Sequence, residues 1–339
     1  MFRFITAPVC LVLAFGRAGG TLSEPDTVYF LAEGNSQGWV SMSGELLSFS
    51  RAGVTLRDSS GIVREFRGRT VLRIETQLLP EHREGIKAYW EEHFEEALTN
   101  FRAARAKETR PWVVEELIVR SLWCLRYLGR QEEAIEEFAL LLRWNPQTAH
   151  LASIPMAWTP GEISPALERR CLEALRSPAP ELQVVGASYL LGGRNEAQAV
   201  PVLGRLSSVG EEPLRTLAWF QLNRVHAWRL TEAELKGLEN AVDRLPRELR
   251  PGPVAVLAQA WEAKKAYEEA LLWWLKLPLN FPEYRDLAAW GILNGGRNLE
   301  RLSRPADAAQ LYRELLESYP EFPYRHLAEA RLAELRTDR

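Results

Sequence analysis

Cysteine is scarce: Cys10, Cys124 and Cys171 are the only three in 339 residues. That is too few for a disulfide framework, and no C-x-x-C spacing offers a zinc ribbon or a dithiol redox pair. A charge excess is missing as well. With 42 Lys and Arg against 45 Asp and Glu the formal net charge is −3, so nothing draws the whole chain to nucleic acid or to an acidic membrane surface. No apolar run approaches the roughly twenty residues of a bilayer-spanning helix. Motifs of the H-E-x-x-H, Walker and G-x-S-x-G kinds are absent. The five histidines, His82, His93, His150, His226 and His326, are scattered. The sequence therefore offers no catalytic residue, no metal ligand and no cofactor site.

Two local patterns invite chemistry and read more simply as structure. His93 is flanked by Glu91, Glu92, Glu95 and Glu96, which a helix spreads around more than one face, as on a solvated surface. The string Gly-Gly-Arg-Asn occurs at Gly192 and at Gly295, where it reads as a helix end and as a close-packing site rather than a phosphate cradle.

What is present is an ordinary globular composition, 46% apolar and 26% charged, with 12 tryptophans. The length suggests about two domains. Met1-Phe2-Arg3, the uncharged apolar run Phe4 to Phe15 and the small residues of Gly16-Arg17-Ala18 have the layout of a signal peptide over residues 1–18. Cys10 lacks the flanking residues of a lipidation site. Export is expected, to a periplasmic or extracellular compartment and without a transmembrane segment in the mature chain. There Cys124 and Cys171 could pair, although each falls in an apolar helical stretch that favours a buried thiol. The sequence leaves that pairing open, as it leaves the oligomeric state.

Residues 27–76 show short runs of β-formers broken by turns, Gly38 to Met42 and Glu45 to Phe49 among them as separate runs, with Asp58-Ser59-Ser60-Gly61 as a hairpin signal. About five antiparallel strands in this span predict a small SH3-like β-barrel. Arg64, Arg67, Arg69 and Arg73 give it a basic edge, read as solvated strand faces.

From Pro80 onward the pattern is helical. An alanine followed four residues later by an aromatic recurs as Ala97/Phe101, Ala134/Phe138, Ala270/Trp274 and Ala308/Tyr312, and Pro146, Pro282 and Pro320 each fall twelve residues after the alanine of the last three. Gly85, Gly129 and Gly296 supply small residues upstream. These positions resemble the tetratricopeptide (TPR) repeat, and Leu311 to Pro320 is similar to closing repeats of TPR proteins of the bacterial envelope. The spacing departs from that family, with 37 residues from Ala97 to Ala134 and 38 from Ala270 to Ala308. TPR-like repeats are thus expected over 80–148 and 251–339, the latter ending in a capping helix, with a proline-rich connection over 149–164. Over 165–248, Leu182, Val185, Gly186 and Leu190 recur as Leu214, Leu217, Ala218 and Leu222 behind Pro180 and Pro213, which resembles HEAT-type helices. The expected fold is mainly α, a TPR/HEAT-like solenoid behind a small β-barrel, with the apolar segment Ser153 to Gly161 packing across the array.

The resemblance implies a function. In TPR arrays the first helix of each pair lines the groove, which places Tyr89, Trp123, Arg126, Tyr127, Trp290 and Arg297 in or near it as partner-binding residues. The carboxylate clamp of chaperone-binding TPRs is missing, its positions being held by His82, Ile86, Val119 and Trp123. The expectation is a non-enzymatic scaffold that binds a protein or peptide in the envelope. The alternative is a cell-wall or glycan-binding accessory protein with a Trp-rich surface.

Overall fold

Among the described residues strands are confined to the first eighty positions, and prolines and glycines cut the rest into helices. The computed structural model describes residues 11–13, 25–31, 39–49, 53–67, 71–159 and 161–337. The chain forms two units, Met1–Ser153 and Ile154–Arg339. Residues 1–10 and 14–18 of the expected signal peptide, and Arg69 of the basic edge, lie outside the described residues. Leu11–Leu13 forms a strand, β1.

The first unit opens with a six-stranded sheet in the order β1-β6-β2-β3-β4-β5. Strands β2 (Asp26–Leu31), β3 (Trp39–Phe49), β4 (Gly53–Arg57), β5 (Val63–Arg67) and β6 (Val71–Glu75) pair antiparallel, and β1 adds to β6 in parallel. The two runs expected around residues 38–42 and 45–49 are one strand. Its first half pairs with β2 and its second with β4, and the switch falls at Gly44, where any side chain would overlap the Arg57 carbonyl. The sheet curls enough to bring Phe30 and Phe66 to 4.5 Å between ring centroids. Among the described residues no pairing joins β5 to β1 or β6, so the expected barrel takes the form of a curled sheet here. Val28, Leu46, Val54, Leu56 and Ile74 fill its inner face.

Four helices follow in this unit: α1 (Pro80–Trp90), α2 (Phe94–Lys107), α3 (Pro111–Tyr127) and α4 (Gln131–Trp144). A buried polar cluster ties the sheet to them. The Asp26 carboxylate accepts hydrogen bonds from the Leu46 amide and the Thr76 hydroxyl. Arg110, at the start of α3, donates to Thr76 and to the Gln77 carbonyl, and pairs with Glu108. Burial raises the Asp26 pKa against the pull of these donors. The sheet packs on α3 through β3, and α3 is consequently apolar and buried along most of its length.

The second unit contains α5 (Pro165–Leu175), α6 (Pro180–Leu190), α7 (Glu196–Val209), α8 (Leu214–Val225), α9 (Glu232–Arg244), α10 (Pro251–Ala263), α11 (Tyr267–Asn280), α12 (Arg285–Arg301), α13 (Pro305–Ser318) and α14 (Arg325–Thr337). Helices α6, α8, α10 and α12 touch in succession and make an inner row.

Four helix pairs share one geometry: α1/α2, α3/α4, α10/α11 and α12/α13. In each, a residue with positive φ closes the turn: Glu92, Gly129, Lys265 and Ser303. The next amide, of His93, Arg130, Ala266 or Arg304, donates to the carbonyl five residues back at 2.8–3.1 Å. Five residues after the positive-φ position stands the alanine seen in the sequence, and four later the aromatic. All eight of these residues are buried. The aromatic lies over a small residue of the first helix where one is present: a methyl at Gly85 would stand 2.6 Å from the Phe101 ring, and one at Gly296 would collide with Tyr312.

The segment Ile154–Trp158 crosses the inner row as an extended strap. The Ala157 amide donates to Ser188 Oγ on α6, and the Ala157 carbonyl accepts from Gln221 and Arg224 on α8. The Trp158 carbonyl accepts from Gln259 on α10, and its indole fills the space left by Gly252. Ile154, Met156 and Trp158 are buried. Burial pushes the Arg224 guanidinium down to about 10, and the strap and Ser188 carbonyls are its hydrogen-bond acceptors.

Two outcomes follow from this packing. A left-handed backbone costs a non-glycine residue roughly 1–2 kcal/mol. Lys265→Gly and Ser303→Gly, both at exposed positions, are each expected to raise stability by about 1 kcal/mol, read by urea unfolding. His82 on α1 is 1% exposed, neither ring nitrogen has a hydrogen-bond partner, and burial with Arg120 and Arg110 nearby pushes its pKa down to about 3. Its unfolded value is near 6.5, so the unfolded chain binds the proton first. Stability is full above pH 6.5 and falls between pH 6.5 and 3, by about 2 kcal/mol at pH 5. His82→Leu is expected to remove that part of the pH dependence of the urea midpoint.

Candidate protein-interaction surface

The expected groove residues of the first unit do come together. Trp123, Arg126 and Tyr127 fall on adjacent turns of α3, where spacings of three and four share a face, and Tyr89 lies in the last turn of α1. The Tyr127 ring lies 5.9 Å from Trp123, 6.1 Å from Tyr89 and 4.7 Å from Phe94. The Arg126 guanidinium stands 4.3 Å over the Trp123 ring. Tyr89 also meets Phe101, at 6.4 Å, and burial pushes its hydroxyl pKa up to about 12. Trp123 is only 3% exposed, so this cluster is mainly an interlock between α1, α2 and α3, with Trp90 as its exposed edge. Two of the absent clamp positions, His82 and Val119, are buried as well.

The pair expected on α12 is arranged similarly. Trp290 is half-buried against Phe322 at 5.5 Å and Tyr324 at 4.9 Å. Arg297 is two turns further along and donates to Asn294 at 3.1 Å. The inner row of α6, α8 and α10, where an external peptide would be expected to lie, carries the strap.

The Gly192 amide donates to Glu196, which closes that turn with the chain's own carboxylate, and Gly295 packs against Leu275 and Leu311. Arg64 pairs with Asp58, and Arg73 pairs with Glu75 while covering the Tyr29 ring. Cys124 and Cys171 are buried thiols, and burial raises the Cys124 pKa to about 12. Among the described residues no group of three or more His, Cys, Asp or Glu side chains is placed to hold a metal ion, and no helix is long and apolar enough to cross a membrane.

A different surface stands out in the second unit. An open trough of about 420 Å³ is lined by Glu239 of α9, Trp261 of α10, and Glu269, Leu272, Trp273, Leu275, Lys276, Leu279 and Asn280 of α11. That volume lies in the range of specific binding pockets, about 300–1,000 Å³. Its walls are mostly apolar, and Leu272 and Leu279 are 66% and 76% exposed. The cause is in α11 itself. Ala270, Trp274 and Leu277 face the core, and Leu272, Leu275 and Leu279, spaced three and four apart, form a second apolar stripe on the same helix. The Lys276 ammonium sits 3.2 Å from the centre of the Trp273 ring. Burial lowers its pKa against the opposing pull of Glu239 and Asp243.

Reading the sequence for repeats marked Trp274 as the aromatic knob of its unit and passed over the trough. The signal was available in Leu271-Leu272-Trp273-Trp274-Leu275: a helix apolar on both faces has one face too many for a single core.

Removal of a buried large aromatic costs about 3–5 kcal/mol. Trp123→Ala is expected to lose stability on that scale in urea unfolding, whereas Arg126→Ala, which removes a partly exposed cation–π contact, is expected to lose about 1 kcal/mol or less. Neither a family model nor a curated protein matches the chain.

Proposed function

We propose that this chain is an exported, non-enzymatic scaffold of tetratricopeptide-like repeats that holds a protein partner, and that the trough of α9, α10 and α11 is its main docking surface. The observation that carries the reading is the second apolar stripe of α11. Leu272 and Leu279 stand open to solvent beside Trp273 and Leu275, an arrangement that a soluble protein keeps for an interaction. The recurrent turn geometry of the four helix pairs supports the repeat reading, and the layout of residues 1–18 supports export, in which β1 leaves the sheet with the cleaved segment and β6 becomes the edge strand. Tyr89, Trp123, Arg126 and Tyr127 then serve as the packed support of the first unit, and Trp290 and Arg297 as that of the last repeats, each with an edge that a large partner can reach.

A second reading is favoured by one observation. Trp39, Trp90, Trp144 and Trp228 are exposed, and exposed indole faces stack on sugar rings. Glycan binding would act through these four residues and leave the trough unused.

The two readings separate in one experiment. The tagged full chain, crosslinked in an envelope extract, is expected to retain a protein that is lost with Leu272→Asp/Leu279→Asp and kept with Trp39→Ala/Trp228→Ala. All four positions are exposed, so each variant should keep its circular dichroism spectrum. The opposite pattern, with recovery of cell-wall fragments that depends on the tryptophans, would establish the glycan reading instead.

A further inference from the structure

Among the described residues every pairing in the sheet is antiparallel except one. Strand β1 runs parallel to β6, with Leu11, Val12 and Leu13 in register with Arg73, Ile74 and Glu75. It belongs to the apolar run of the export signal, so processing after Ala18 strips the main-chain partner from that side of β6 and leaves alternate peptide groups unmet. The uncovered edge is short and bounded. Just beyond it the Thr76 hydroxyl and the Gln77 carbonyl are held by Arg110, which leaves Val71–Glu75, about 17 Å at 3.3 Å per residue.

Sheet edges are commonly guarded by charged side chains. Strand β5, at the far edge, carries exposed Arg64 and Glu65. On β6 the charges cancel internally: Arg73 and Glu75 pair at 2.5 Å, the Arg73 guanidinium lies 4.2 Å over the Tyr29 ring, and the Tyr29 hydroxyl donates to Glu75 at 2.8 Å. Between them Ile74 is fully buried, and Leu72 just before is 45% exposed. The edge therefore offers peptide groups and apolar surface without a net charge. A second copy of this chain fits it poorly. Two identical edge strands that extend one sheet through a two-fold run antiparallel, whereas the strand seated here is parallel. A stretch of five residues also falls short of the roughly 20–30 residues a side of a stable interface.

Resting on the reading of residues 1–18 as a cleaved signal, we infer that the β6 edge of the processed chain is a strand-addition site that takes an extended, uncharged apolar segment of another protein, parallel to β6 and with an apolar residue in the register place beside Ile74. Main-chain hydrogen bonds supply the affinity, and the neighbour of Ile74 supplies the selection. In the precursor the signal segment keeps the site closed.

The test compares the exported full chain, its N-terminus fixed by mass, with the precursor kept whole by expression without export. The probe is a labelled peptide of residues 9–14 with Cys10→Ser, made once with lysine flanks and once with glutamate flanks. Fluorescence anisotropy is expected to show both versions binding the processed chain within about threefold of each other, and the precursor about tenfold or more weakly. Val12→Pro/Leu13→Pro in the peptide removes two successive amides, one of which must face β6, and is expected to abolish binding. A peptide of alternating valine and threonine is expected to bind as well, and hydrogen exchange to show protection of residues 71–75 by either. Equal binding to precursor and processed chain, tolerance of the proline pair, protection outside β6, or a tenfold preference for one flank charge would each overturn the inference and leave export standing. Binding confined to the signal sequence would overturn the assignment to another protein's segment. A processed chain that sediments as a dimer and is dissociated by the peptide would overturn it in favour of a second copy. Retention of residues 1–18 after export would remove the reading it rests on, and the inference with it.

Discussion

The packing of one large buried ring against the preceding helix sets the geometry of four helix pairs, two in each unit. Phe101 over Gly85 and Tyr312 over Gly296 lay the ring directly on the backbone of the first helix. Phe138 and Trp274 occupy the equivalent positions in the other two pairs, fully enclosed. The turn before each ring must reverse the chain in very few residues. It does so with one left-handed residue and one amide that reaches back five positions. Glycine is the usual solution for that backbone, yet Glu92, Lys265 and Ser303 occupy three of the four sites. Close packing of ring against helix therefore dominates the local preference of the turn residue.

Stacked helix pairs leave an inner surface, and each unit covers part of its own. In the first, the curled sheet packs on α3 and is fixed by the Asp26, Thr76 and Arg110 cluster. In the second, a length of extended chain crosses α6, α8 and α10. Its carbonyls meet Gln221, Arg224 and Gln259, so no ion pair is required to bury the guanidinium. The polar atoms on the inner helices serve the chain's own peptide groups, and the surplus apolar surface is found on the other side, along α11.

Much of this was legible in the sequence for a physical reason. Ala97, Ala134, Ala270 and Ala308 and their aromatics repeat because packing permits few residue types there. The strands around 27–76 were legible from alternation, except that Gly44 reads as a break and is instead the point where one long strand changes partners. The helical period also placed the recurrent segments at Pro180 and Pro213, where α6 begins and α8 follows. What the sequence concealed was occupancy. Trp123 and Tyr127 have the composition of a binding surface, but a side chain's type does not reveal whether another helix already lies against it. Leu272 and Leu279 have the composition of a core, and only the positions of Ala270, Trp274 and Leu277 on the opposite face show that they are left over.

The strap also has a bearing on the order in which the second unit can be made. Helix pairs close through contacts between near neighbours, which form quickly and in any order. Trp158 differs, because the Gln259 that holds its carbonyl is 101 residues away, as is roughly the Gly252 notch for its indole. A ribosome must add more than half of the unit before this fastening exists. Until then the strap can be held at Ala157 by α6 and α8, but the Trp158 indole has no seat. A segment among the first of the unit to emerge thus waits for a helix made much later, and whatever shields Trp158 during synthesis acts before any native surface of α10 is available.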